Sequence, residues 1–159
     1  AKRMRPIILT DHVLRIWVNH GENPKDASYA YVLLPNADKQ TMDGLLASPP
    51  FTYKNTAELQ YGLSKTGKLA GIVFYKAGIA PLFGGISVNQ PCTMLIENEG
   101  GGLKLHVSDP TQELKQLQIS IQGDYKGNGI VSSQNQSKIT VELPSGREAG
   151  KTVSLEFTR

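Results

Sequence analysis

The 159-residue sequence is poor in the residues that usually announce a chemistry. Cys92 is the only cysteine, which excludes an internal disulfide and any thiolate-rich metal site. His12, His20 and His106 are the only histidines, and none stands at ligand spacing from another or beside a carboxylate cluster. No metal site and no cofactor is therefore expected. No apolar run is long enough to cross a bilayer as a helix, so no membrane partner is expected. Charge is sparse as well: charged residues make up 19% of the chain, and 17 Lys+Arg against 14 Asp+Glu leave a net +3. That excess supplies few phosphate contacts, and the one basic cluster is Lys2, Arg3 and Arg5 at the terminus, which argues against a nucleic-acid partner. With 39% hydrophobic residues the chain is nevertheless too apolar to stay disordered.

What is present is alternation. A strand with one buried face repeats every two residues, and this pattern recurs along the chain. Leu14, Ile16 and Val18 alternate with Arg15, Trp17 and Asn19; Leu103, Leu105 and Val107 alternate with Lys104, His106 and Ser108. The same holds for Leu117, Ile119 and Ile121, for Ile139, Val141 and Leu143, and for Val153, Leu155 and Phe157. Cys92 falls on the side of Met94 and Ile96, which predicts a buried, inert thiol. Further strands are expected over 29–34, 51–54, 59–63, 69–75 and 86–88. Glu99-Gly100-Gly101-Gly102, Gly127-Asn128-Gly129 and Pro144-Ser145-Gly146 read as hairpin connections, because Gly and Asn tolerate positive φ. Only Asp38 to Ala47 reads as a helix, with Met42, Leu45 and Leu46 on one face and Pro49-Pro50 ending it; a short helical turn is expected after Asp109. The fold class is all-β, an antiparallel β-sandwich with one short helix. Pro49-Pro50 marks the expected boundary between residues 1–49 and a sandwich over 50–159.

The stretch from Trp17 to Pro35 carries His20-Gly21, Pro24, Tyr29, Tyr31 and Pro35 in the spacing HG-x-x-P-x-x-x-x-Y-x-Y-x-x-x-P. This resembles a segment near the end of the central β-domain of family 8 polysaccharide lyases, the hyaluronate, chondroitin and xanthan lyases. Asn55-Thr56-Ala57-Glu58-Leu59-Gln60 resembles the segment that opens their C-terminal β-domain. Val88-Asn89-Gln90-Pro91 and Val107-Ser108-Asp109-Pro110-Thr111-Gln112 resemble later segments of that domain. The chain departs from the pattern at Asn19, where relatives commonly have Asp, and at Tyr61-Gly62-Leu63 after Gln60.

The resemblance implies that residues 1–49 are the terminal strands and helix of the central lyase β-domain and 50–159 the C-terminal β-sandwich. It also implies a bacterial parent, secreted or periplasmic, that cleaves acidic polysaccharide of hyaluronan, chondroitin or xanthan type by β-elimination. The implied partners are that polysaccharide, met through the parent enzyme, and the missing N-terminal helical and β-domains. Catalytic residues of the family lie in its helical part, so this segment is expected to be inactive and no catalytic residue is assigned. The chain starts at Ala1 without a signal-like stretch, which reads as the place where the catalytic part was left behind.

Several residues invite a sharper reading. Asn19, His20, Tyr29 and Tyr31 repeat the residue types of the lyase chemistry, but turn hydrogen bonding and tyrosine packing account for them. Trp17 beside Arg15 and Asn19 has the makings of a sugar-stacking face, the alternative being a carbohydrate-binding module for anionic glycans; Tyr53, Tyr61, Tyr75 and Tyr125 are weaker candidates of the same sort. Substrate-binding residues are left unassigned. Ser145 to Thr152 mimics a phosphate-binding loop with the wrong glycine spacing and a following strand, and is expected to be a hairpin turn. Asn135-Gln136-Ser137 fits a glycosylation sequon and is expected to be a loop.

Overall fold

The computed structural model describes residue 13 and residues 15–159. Contacts divide the chain into two compact units, Ala1–Pro35 and Asn36–Arg159. In the second unit, helix α1 (Lys39–Ala47) precedes eleven strands. These are β1 (Phe51–Asn55), β2 (Leu59–Ser64), β3 (Leu69–Phe74), β4 (Gly78–Ala80), β5 (Ile86–Val88) and β6 (Cys92–Glu99), then β7 (Gly102–Ser108), β8 (Gln116–Gln122), β9 (Ile130–Ser133), β10 (Gln136–Glu142) and β11 (Val153–Phe157). Two antiparallel sheets result, one six-stranded in the order β1-β2-β3-β6-β7-β11 and one five-stranded in the order β4-β5-β8-β10-β9. No helix among the described residues is long and apolar enough to cross a membrane.

The core is the alternation turned inward. Ala70, Ile72 and Phe74 of β3, Met94 and Ile96 of β6 and Leu103, Leu105 and Val107 of β7 are buried on one sheet. Ile86 and Val88 of β5, Leu117, Ile119 and Ile121 of β8 and Ile139 and Val141 of β10 are buried on the other. Register keeps these layers aligned: Ile96 lies opposite Leu105, and Ile139 opposite Ile119. A slip of one residue would turn every one of these side chains outward.

One inward position of β10 is polar. The Ser137 hydroxyl, fully buried, donates to the Gly123 carbonyl at 2.6 Å, accepts from the Tyr125 N–H at 2.9 Å and lies 2.7 Å from the Ser132 Oγ. It thereby satisfies the backbone of the link after β8, where no strand can.

The expected helix is present, with the Asp38 carboxylate accepting from the Thr41 N–H at 2.8 Å as its N-cap. None of its residues is buried: on its apolar face Leu45 is half-buried, and Met42 and Leu46 are exposed. Glu99 to Gly102 forms the expected β6–β7 hairpin, whose two central glycines both have positive φ, 60° and 84°.

Four expectations are corrected. Residues 15–18 and 29–34 form no strand, because an alternating segment still needs a neighbouring chain to take up its N–H and C=O groups; Leu14 lies outside the described residues. Gly127-Asn128-Gly129 does not close a hairpin. The hairpin lies at Gln134-Asn135, both at positive φ, so Asn135 is a turn residue while Gln136 and Ser137 already belong to β10. The segment from Pro144 to Thr152 is no hairpin either, since it carries the chain from β10 in one sheet to β11 in the other through a 3-10 turn at Gly146–Glu148. After Asp109 there is a hydrogen-bonded turn rather than a helical one.

That turn is held by a single side chain. Asp109 is 2% exposed; its carboxylate accepts from the Thr111 N–H and Oγ1–H at 2.8 and 2.7 Å, the Glu113 N–H at 2.9 Å and the Leu114 N–H at 2.8 Å. Burial alone would raise its pKa, but the four hydrogen bonds outweigh burial and hold it below the usual carboxylate value. The stability this supplies is present above about pH 4, the unfolded carboxylate range, and is lost as pH falls through the lower folded value. Asp109→Asn sets an amide NH2 against donors, and it is expected to cost about 1–3 kcal/mol at neutral pH. In urea titrations the gap between variant and parent should narrow at pH 3; a gap independent of pH would contradict the assignment.

Cys92, on the inner face of β6, is pushed up to about 12 by burial first and by the charge of Asp109 second. The expected outcome is a thiol that reacts with Ellman's reagent at mildly alkaline pH only as fast as the sandwich opens, and at once in denaturant. Rapid stoichiometric reaction of the native chain would overturn this placement.

Candidate functional site

The residues singled out around Trp17 are brought together, though without a strand. Within the first unit, Ile16, Trp17, His20, Tyr29, Tyr31 and Leu33 line a cavity of about 620 Å³. Tyr29 and Tyr31 stack with ring centroids 6.2 Å apart and planes 9° apart, and the His20 ring lies 6.2 Å from Tyr29. Trp17 is 77% exposed, Tyr31 72%. Asn19 turns its side chain into the following turn, where its Oδ1 accepts from the Gly21 N–H at 2.8 Å, the role expected of it. Arg15 is exposed two positions before Trp17 and outside the lining. Such a ledge can stack on a planar or ring-shaped ligand; it places no acid and base on opposite sides of a reacting atom.

The other tyrosines do not join it. Tyr125 is 4% exposed and belongs to the core, with the Arg159 guanidinium 5.3 Å above its ring and donating to its hydroxyl at 3.2 Å. Tyr75 donates to the Gln60 Oε1 at 3.1 Å, Tyr53 is exposed on β1, and Tyr61 is half-buried on β2. His12 lies outside the described residues, and no group of three metal-ligating side chains occurs among the described ones.

His106, which stands at no ligand spacing in the sequence, sits in a network. Its Nδ1 is 2.8 Å from the Ser154 Oγ and its Nε2 2.8 Å from the Glu97 Oε1. A neutral ring protonated on Nε2 satisfies both contacts, donating to Glu97 and accepting from the Ser154 hydroxyl. The order Ser-His-Glu is that of an acyl-transfer triad, which also needs a pocket over the serine and donors aimed at an oxyanion. Here the three side chains stand on the outer face of neighbouring strands, Ser154 directly opposite His106 in the ladder, and they tie β6, β7 and β11 together. Lys104 and Glu156, 3.2 Å apart across β7 and β11, add a solvent-exposed pair of small energetic weight.

Comparisons with known proteins match the chain in two segments. Residues 3–46 match the super-sandwich domain of polysaccharide lyase family 8, and residues 53–118 match the C-terminal beta-sandwich domain of the same family. A chondroitinase-AC of Pedobacter heparinus is 28% identical over 146 residues, 91% of this chain and 20% of that protein. A xanthan lyase of Bacillus sp. (strain GL1) is 30% identical over 148 residues, 89% of this chain and 16% of that protein. Among solved structures, a chondroitinase AC lyase superposes with a TM-score of 0.69 at 26% identity, over 83% of this chain and 19% of the other. A Streptomyces coelicolor chondroitin AC lyase in complex with chondroitin sulphate shares the fold at a TM-score of 0.72 and 21% identity, over 87% and 19%. The chain thus spans about a fifth, or less, of the curated relatives it matches. The family shown by these matches is the one suggested by the motifs from Trp17 to Gln112: the chain belongs to polysaccharide lyase family 8, of which it carries C-terminal sequence including the β-sandwich.

Proposed function

We propose that this chain is the noncatalytic C-terminal region of a polysaccharide lyase that cleaves acidic polysaccharide of hyaluronan, chondroitin or xanthan type by β-elimination, and that it buttresses the catalytic part. The observation that carries this reading is the order of the two family segments, super-sandwich over 3–46 and C-terminal sandwich over 53–118, in a chain spanning a fifth or less of relatives named chondroitinase-AC, hyaluronate lyase and xanthan lyase. Residues 1–49 are then the tail of the central β-domain and 50–159 the domain that follows. The alternating residues of 15–18 and 29–34 would complete their ladder with strands of that central domain, which accounts for the exposure of Ile16, Trp17 and Leu33. The parent is read as secreted or periplasmic, where its polymeric substrate is met.

Elimination needs the uronate carboxylate neutralised, a base at C5 and an acid at the leaving oxygen, all within reach of one sugar. The reading assigns these tasks to residues upstream of this segment. Incubated with hyaluronan, chondroitin or xanthan, the 159 residues should give no rise in the ultraviolet absorbance of unsaturated uronate. Turnover by this chain alone would sink the noncatalytic role.

A second reading rests on the aromatic ledge, which would dock an acidic glycan with Trp17 and Tyr31 under the sugar rings and Arg15 near the acid. Affinity electrophoresis in gels containing each polymer is expected, on this reading, to show retardation that Trp17→Ala removes. Unretarded migration in all three gels would eliminate it.

A further inference from the structure

The outer face of the five-stranded sheet carries a groove of a different character. It has a volume of about 480 Å³, within the range of small-molecule sites. Its walls come from three separate parts of the sandwich: Ser87 of β5, Ser120 and Gln122 of β8, and Gln134, Asn135 and Gln136 at the β9–β10 hairpin. None of these six side chains is engaged in a hydrogen bond with another described residue, although they line one concavity. Elsewhere on the same sheet similar side chains are engaged, Gln116 with Glu142 and Asn89 with the Gln118 N–H.

The floor is built to stay open. Gly84 has φ +84°, a conformation that strains any residue with a Cβ, and a Cβ there would lie 2.7 Å from the Gln122 Oε1. Gly85 follows at φ +125° and also lines the groove. Opposite the amides, Ile79 of β4 presents an apolar surface that is 69% exposed. The hairpin residues Gln134 and Asn135 are held at φ 53° and 59°, which fixes the direction of that wall.

We infer that this groove is a binding site for a neutral pyranose unit of a glycan chain. Amide groups offer donor and acceptor together, as vicinal hydroxyls demand, and hydroxyls of Ser87 and Ser120 can serve as either. Ile79 supplies the apolar contact that a sugar's C–H face takes. No charged residue lines the groove, so a carboxylate or sulfate drawn into it would lose water without gaining a counter-charge. Lys138, opposite Ser120 in the β8–β10 ladder, is outside the lining. The inference stands on the groove alone and is independent of the lyase parentage.

The test is a heteronuclear NMR titration of the 159-residue chain with cellopentaose and, separately, with an oligogalacturonate of equal length. Cellopentaose is expected to shift amide signals of residues 84–87, 120–122 and 133–136, and oligogalacturonate to leave them unmoved. The double variant Ser120→Ala, Gln136→Ala removes two hydrogen-bonding groups from positions outside the core and should weaken cellopentaose binding about tenfold. Absence of shifts with cellopentaose, shifts confined to other residues, or equal response to the charged oligomer would each overturn the site. So would unchanged affinity in a variant whose remaining spectrum matches the parent, and the map on the parent chain stands as a test without the variant.

Discussion

A strand that pairs along its edges and hides one face must place an apolar side chain at every second residue, and the sandwich depends on this constraint. Leu103, Leu105 and Val107 meet it on one sheet, and Leu117, Ile119 and Ile121 on the other; all six are nearly or fully buried. The same period dictates what faces outward, so Glu97, His106 and Ser154 fall into one hydrogen-bonded row and Ser87 and Ser120 into one groove. Neither cluster exists until the register does. Inside the layer the Ser137 hydroxyl is tolerated because three partners surround it.

The connections follow a second rule, that backbone leaving a ladder must find its hydrogen bonds elsewhere. Asp109 supplies two oxygens to four donors in the loop leading from β7 in one sheet to β8 in the other. Its charge also reaches Cys92, so the loop anchor and the inert thiol are electrostatically linked. The segment before α1 is governed by the same rule with the opposite result. Residues 15–35 carry alternation without a ladder, and their aromatic side chains stay on the surface.

Much of the sandwich was legible because its strands are long enough to show the period. β7, β8 and β10 run seven residues each; the alternation marks β7 and β8 to within a residue of their ends, while β10 begins three residues before Ile139, the first residue of its apolar pattern. β4 and β9 were missed, being three and four residues long, too short for alternation to stand out. Turn residues announce that the chain bends but not which sheet receives it, so the passage from β10 to β11 looked like a hairpin. Alternation in 14–18 and 29–34 is half of a strand signal, the other half being a partner. The aromatic ledge was legible because its residues are close in sequence. The His106 network and the uncharged groove were not: 97, 106 and 154, like 87, 122 and 135, are gathered only by strand order.

The eleven strands between Phe51 and Phe157 are expected to open as one cooperative sandwich, whereas residues 15–35 form no strand of their own. Amide hydrogen exchange on the intact 159-residue chain addresses this directly. The expected result is a common, slowest exchange for the inner strands β3, β6, β7, β8 and β10 of both sheets, with amides of 15–35 exchanging at nearly unprotected rates. Protection of 15–35 equal to that of the sheets, or two sheets exchanging as separate units, would contradict it.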